Sequence, residues 1–160
     1  MKAGATLVAG LLALSLGALL LESCSSDFDF HAEMIEGRLT FVPTGTWFSR
    51  PDRFCMVDVR TSSGPQATAE AGDDPGQIAQ GSYWSYWLKG CDNKFPFVYG
   101  QPLKGAPVLD RRSGRERPHV QAKQLSPNVV YEAFILAPRS AYGSARFVLD
   151  GQGHVRNLGR

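Results

Sequence analysis

Apolar residues in this chain fall into one unbroken run followed by a series of short alternations. The run, Ala5 to Leu21, is led by Met1-Lys2 and closed by Leu21-Glu22-Ser23-Cys24, after which Ser25-Ser26-Asp27 is polar. Beyond it the period is two, the signature of strands half-buried on a core. Ile35, Leu39 and Phe41 share one parity against Glu36, Arg38 and Thr40. Cys55, Val57 and Val59 alternate with Met56, Asp58 and Arg60. Trp84, Tyr86 and Leu88 alternate with Tyr83, Ser85 and Lys89, and Trp87 interrupts the polar side. Residues 129–137 are apolar on both parities except at Glu132, the pattern of a central strand covered on both faces. Ala145, Phe147 and Leu149 then alternate with Ser144, Arg146 and Asp150.

Turn chemistry divides these runs. Pro43-Thr44-Gly45 ends the first, and Asp150-Gly151-Gln152-Gly153 predicts a hairpin before His154–Leu158, because glycine tolerates positive φ. Residues 61–81 carry Ser-Gly-Pro and Ala-Gly-Asp-Asp-Pro-Gly with little apolar content. They predict a long mobile loop, with a short helix at Thr68–Ala71 at most. Residues 25–33 are polar with scattered aromatics and predict a tether. The expectation is an all-β chain, an antiparallel β-sandwich over 34–160 built from about seven short strands.

Composition narrows the classes. The chain has 160 residues, 43% hydrophobic and 20% charged, with 17 Lys and Arg against 15 Asp and Glu. A net charge of +2 lacks the positive field that a nucleic-acid binder needs, and the apolar fraction is too high for intrinsic disorder. The length fits one domain plus a targeting segment.

A charged start, an apolar stretch and a small residue before a cut site make a secretory signal. With Cys24 next, the segment resembles the bacterial lipoprotein signal, through Leu21, Ser23 and Cys24; Glu22 stands where that family usually has a small uncharged residue. The resemblance implies cleavage before Cys24, a diacylglycerol on its sulfur and an acyl group (palmitate or similar) on its amine. Residues 1–23 are then the signal peptide and 24–33 a lipidated tether, and the membrane is a partner through the lipid. Removing 1–23 from 160 leaves 137 residues, enough for a sizeable core. Ser25 and Ser26 lack the acidic inner-membrane retention signal, so the resemblance implies a lipid anchor in the outer membrane. Two other readings stand beside it: Ala5–Leu21 kept as a short membrane anchor, and ordinary secretion.

The run Leu125-Ser126-Pro127-Asn128-Val129-Val130-Tyr131 resembles the Leu-x-Pro-Gly-Thr-x-Tyr run of fibronectin type III domains. That likeness rests on Leu125, Pro127 and Tyr131 and implies an immunoglobulin-like sandwich with a tyrosine corner, the phenol bonding back to backbone. Asn128 replaces the family's glycine and can take the same left-handed conformation. Gly90–Pro96, Tyr99-Gly100 and the closing run from Tyr142 to Leu158 are similar to a group of small lipoproteins of Gram-negative bacteria. This second likeness implies a location and no activity.

Candidate chemistry is sparse. With Cys24 set aside, Cys55 and Cys91 make an even pair, which in an oxidising periplasm reads as a disulfide worth about 4 kcal/mol across its loop. A metal site would need more ligands, and a reactive thiol an activating neighbour. Tyr83 and Trp87 share a parity and are candidates for a stacking platform that takes glycans or peptidoglycan; the alternative has them packed under the loop 61–81. Arg111, Arg112, Arg115 and Arg117 suit anionic headgroups, lipopolysaccharide phosphates or a protein partner, or form a solvated hairpin tip. His31, His119 and His154 are lone residues, and Asp58, Asp110 and Glu132 are scattered carboxylates, so no catalytic residue and no cofactor is assigned. The functional expectation is a binding or scaffolding envelope protein. A carbohydrate-binding module is the alternative, an envelope hydrolase a distant one.

Overall fold

A computed structural model describes residues 27–45 and 50–159. The signal-peptide and lipidation readings, Cys24 included, lie outside the described residues.

The chain is mostly β. Strands β1 (Asp27–Phe28), β5 (Met56–Arg60), β6 (Ser82–Trp87), β9 (Val130–Ala137), β10 (Ala141–Leu149) and β11 (Val155–Leu158) form one six-stranded sheet. Its order is β1-β10-β9-β5-β6, with β11 also paired to β10. The pairings are antiparallel except β1 with β10, which is parallel, Asp27 opposite Tyr142 and Phe28 opposite Gly143. A second sheet joins β2 (Phe30–Ile35), β3 (Arg38–Pro43) and β8 (Phe97–Val98), and β4 (Arg53–Phe54) pairs with β7 (Asn93–Lys94).

One core serves both larger sheets. Val57 and Val59 from β5, Trp84 from β6, Tyr131, Ala133 and Ile135 from β9, and Phe147 from β10 meet Phe41 and Phe97 from the second sheet. The ring of Phe41 stands edge-on to Phe147 at 5.8 Å and lies 5.2 Å from Phe97. Such ring pairs add stability beyond the apolar area they bury. As expected, β9 is central, and its Tyr131 parity is fully buried. Its other parity is only half-covered, with Arg60 lying over Phe134 at 4.4 Å.

Three expectations are corrected. Within the expected tether 25–33, Asp27–Phe28 and 30–33 are strand, and Phe28, Phe30 and Ala32 are buried. Its polar residues are simply the outward parity of an edge segment. Phe28 fits because Gly143 has no side chain; a Cβ there would lie 2.6 Å from the Phe28 ring. The parity drawn through Ile35, Leu39 and Phe41 crosses a two-residue turn, Glu36-Gly37, at φ 50° and 73°. Two positive φ values in succession give the turn whose twist matches that of the flanking strands. Finally, the helix in the long loop is α1 (Pro75–Ala79) rather than Thr68–Ala71. The Asp74 carboxylate accepts from the Gln77 N–H at 2.8 Å, and proline begins the first turn, both strong helix starts.

The loop 61–81 is tied down along its length. Tyr83 donates its hydroxyl to Pro65 O at 2.6 Å, Asp74 N–H reaches His119 O, and Thr61 N–H reaches Gly81 O. No helix among the described residues is long and apolar enough to cross a membrane.

Candidate functional site

Cys55 and Cys91 form a disulfide, with Cα atoms 4.2 Å apart. It joins the approach to β5 with the exit from β6, two neighbouring strands, and so staples one end of the large sheet.

A concave feature lies beside β6, on the Trp84 parity. This cavity of about 420 Å³ is lined by Trp84, Tyr86, Gln101, Leu103 and Gln121 among others. Trp84 is 2% exposed and stands edge-on to Tyr99 at 5.3 Å, forming the floor. Tyr99 donates its hydroxyl to Lys123 O at 2.8 Å, and burial pushes its pKa far above the ordinary phenol range. Tyr86 forms a wall, with the His119 imidazole stacked on it at 5.1 Å. Gln101 accepts from the Val98 N–H through Oε1, which orients its amide. The indole is itself closed off, so what the cavity offers a ligand is the half-buried Tyr86 and two amides, which suit reversible hydrogen bonding.

Below Tyr86 lies an ion cluster. Lys123, its side chain 7% exposed, pairs with Asp73, whose side chain is 0% exposed, and with Glu70 at 2.7 Å. Asp73 also accepts from the backbone N–H groups of Gln121 at 2.8 Å and Glu70 at 2.7 Å. Burial pushes the Asp73 carboxyl upward, but its bonds to Lys123, Gln121 and Glu70 outweigh this and hold it below the ordinary range. Lys123 is held above its own ordinary value, since the hydrogen bonds and charges of Asp73 and Glu70 outweigh its desolvation. Burial and the Asp73 charge push Tyr86 up as well. The cluster joins the loop 61–81 to the segment that carries Gln121 and Ala122 into the cavity wall.

The sequence candidates scatter. Tyr83 is 2% exposed, edge-on to Tyr131 at 5.0 Å, so it is unavailable for stacking a ligand. Trp87 is half-buried under the Arg117 guanidinium, 4.5 Å from its centroid. The two rings make no exposed platform, because Tyr83 sits under the loop 61–81. Arg111, Arg112 and Arg115 are exposed around a turn in which the Asp110 carboxylate accepts from Arg112 and Ser113 N–H groups. Arg117 is withdrawn from them onto Trp87. Leu125 packs half-buried against the core, Pro127 is exposed and Tyr131 is buried. The Ser126 N–H donates to the Tyr131 hydroxyl oxygen at 2.9 Å, and Asn128 takes φ 61°.

The histidines lie apart. His119 is on Tyr86, His154 contacts Asp150 at 3.0 Å, and His31 lies 3.5 Å from Glu33. Asp58 is held above its ordinary value by burial, against the opposing pull of Arg60 and Ser82, and Glu132 faces Arg146 at 3.9 Å. No cluster of metal-ligating side chains occurs among the described residues. Reading the sequence missed Gln101, Gln121 and the Lys123–Asp73 pair. The one available signal was an isolated lysine between Ala122 and Leu125 in an otherwise turn-like stretch. No protein-family model, curated protein or solved structure matches this chain.

Proposed function

We propose that this chain is a lipid-anchored protein of the bacterial outer membrane, held through acylated Cys24, that presents an immunoglobulin-like sandwich for reversible binding. The observation that carries the reading is a disulfide-closed β domain whose first strand begins three residues past Cys24. A stable disulfide belongs in an oxidising compartment, where a lipoprotein signal would deliver the chain.

The sandwich is supported by sheet order. A hairpin of β9 and β10, with β5 on the far side of β9 and β6 beyond, follows the G-F-C-C′ order of variable-type domains. The Tyr131 bond to Ser126 N–H has the sense of a tyrosine corner. The disulfide departs from that family, since it joins neighbouring strands of one sheet instead of bridging two sheets. The cavity beside Trp84 is the binding face, and nothing in it pairs a nucleophile with a base.

Intact mass of the membrane-extracted protein tests the anchor. The expected mass is that of residues 24–160 plus acyl groups, rising by two protons on reduction. An unacylated mass that retains residues 1–23 overturns the reading.

A further inference from the structure

We infer that one particular corner of the domain, where β1 and β10 begin, lies directly against the lipid headgroups, with Tyr142 in the interfacial layer. The inference rests on acylation of Cys24 and adds to it a surface and an orientation.

The chain between Cys24 and the first strand has a short reach. From Cys24 to Asp27 there are three residue steps, which span about 10 Å even when fully extended. Asp27 is not free to move away, because it is in β1, paired with Tyr142 on β10. Phe28, the next residue, is buried over Gly143 and rests on the Phe30 and Phe95 rings at 5.9 Å. Lifting the domain off the bilayer would therefore require pulling Phe28 out of the core. With β1 in place, the anchor and the corner cannot separate.

The groups at that end suit the position. Tyr142 is 45% exposed, one of the few large apolar side chains so placed among the described residues, beside a shallow hollow formed with Phe134 and Asp27. A phenol with an apolar body and a polar tip is the side chain favoured at headgroup depth. Arg139 is exposed in the turn between β9 and β10, a 3₁₀ segment at Pro138–Ser140. Antiparallel register brings the start of β5 to the same end, since Cys55 N–H donates to Leu136 O. Arg53 and its partner Lys94, from the β4–β7 pair, are exposed there. Asp27 and Asp52 share the end, Asp52 lying 3.6 Å from Arg53, so charge alone would hold the domain weakly. The acyl chains supply the affinity, and the arginines, lysine and tyrosine set which way the domain faces.

The opposite end is far away. Eight strand steps separate Ala141 from Leu149, roughly 26 Å. The hairpin tip at Gln152 and the loop at Pro127 then point into the aqueous phase.

Depth in a bilayer tests this. Full-length Ser140→Cys and Gln152→Cys proteins, matured in cells and extracted with their lipid, are labelled with an environment-sensitive fluorophore. They are reconstituted in vesicles of phosphatidylethanolamine and phosphatidylglycerol containing a lipid with a nitroxide on its headgroup. The label at 140 is expected to lose more than half its intensity, and the label at 152 to lose almost none. Pro138→Cys replaces Ser140→Cys should the latter fail to fold. Equal quenching at both ends in a protein whose mass carries the acyl groups overturns the orientation alone. A mass without acyl groups overturns the anchor and, with it, this inference.

Discussion

Removing only the phenolic oxygen of Tyr131 tests the hydrogen bonds that its hydroxyl makes with Ser126 and Tyr83. Tyr131 is buried, and its pKa is pushed up to about 12 by that burial, so the phenol stays neutral at any physiological pH. In Tyr131→Phe the Ser126 N–H loses its acceptor, and denaturant unfolding should show a loss of about 1 kcal/mol. Asp58 predicts the opposite sign. Burial raises its folded pKa, so the folded state is penalised wherever the unfolded carboxylate is ionised. Asp58→Asn is therefore expected to stabilise the domain at pH 7. That gain should shrink toward nothing as the pH falls below 3.8, the ordinary value of the group. A pH series of unfolding curves that showed the gain growing in acid would contradict this account. Lys123→Met leaves the buried Asp73 charge with backbone donors alone and is expected to cost about 2 kcal/mol at pH 7.

At the scale of elements, the Lys123 cluster has a pH window of its own. The Asp73 carboxyl is depressed, so its contribution is complete above 3.8 and lost as the pH falls through the lower folded value. Lys123 is raised, so its contribution is complete below 10.5 and lost as the pH climbs past the higher folded value. Between those limits the loop 61–81 should resist a broad-specificity protease such as proteinase K; Lys123→Met should make it the first segment cut, as read by mass spectrometry of early fragments. Helix α1 tests the local start signal, since Asp74→Ala removes the cap on Gln77 and is expected to cost about 1 kcal/mol.

These elements also mark the boundary of what sequence reveals. Strands β5, β6 and β10 were legible because each alternates over five or more residues around branched or aromatic side chains, and β9 because it is apolar on both parities. The first hairpin was not. Asp27, Asp29, His31 and Glu33 suggested a solvated tether, and the intervening Phe28, Phe30 and Ala32 were too few to outweigh them. Helix α1 had its Asp-Pro start in plain view, but five residues are too short for a helical period to register. The cavity was half legible: its aromatic wall lay in the Tyr83–Trp87 run, although which rings faced outward depended on a loop docked from elsewhere. Pairing of Lys123 with Asp73, fifty positions apart, is a product of the fold alone, and no local pattern announces it.

For the molecule as a whole, the disulfide is the largest single covalent contribution to stability. Opening it with a thiol reductant is expected to lower unfolding stability by about 4 kcal/mol, given a separation of 36 residues, with retention of the native far-ultraviolet signal near room temperature. The same bond has a topological consequence. Residues 55–91 form a closed ring, and that ring contains the whole of the docked loop, its helix and β6. A protease that nicks the loop opens the ring at a single point and releases nothing. Both pieces stay covalently linked, and the distal piece keeps its attachment to whatever holds the amino terminus until the bond is reduced. Cleaved chains would thus run as one species on a gel without thiol and as two with it, so damage within the ring would accumulate in place instead of being shed.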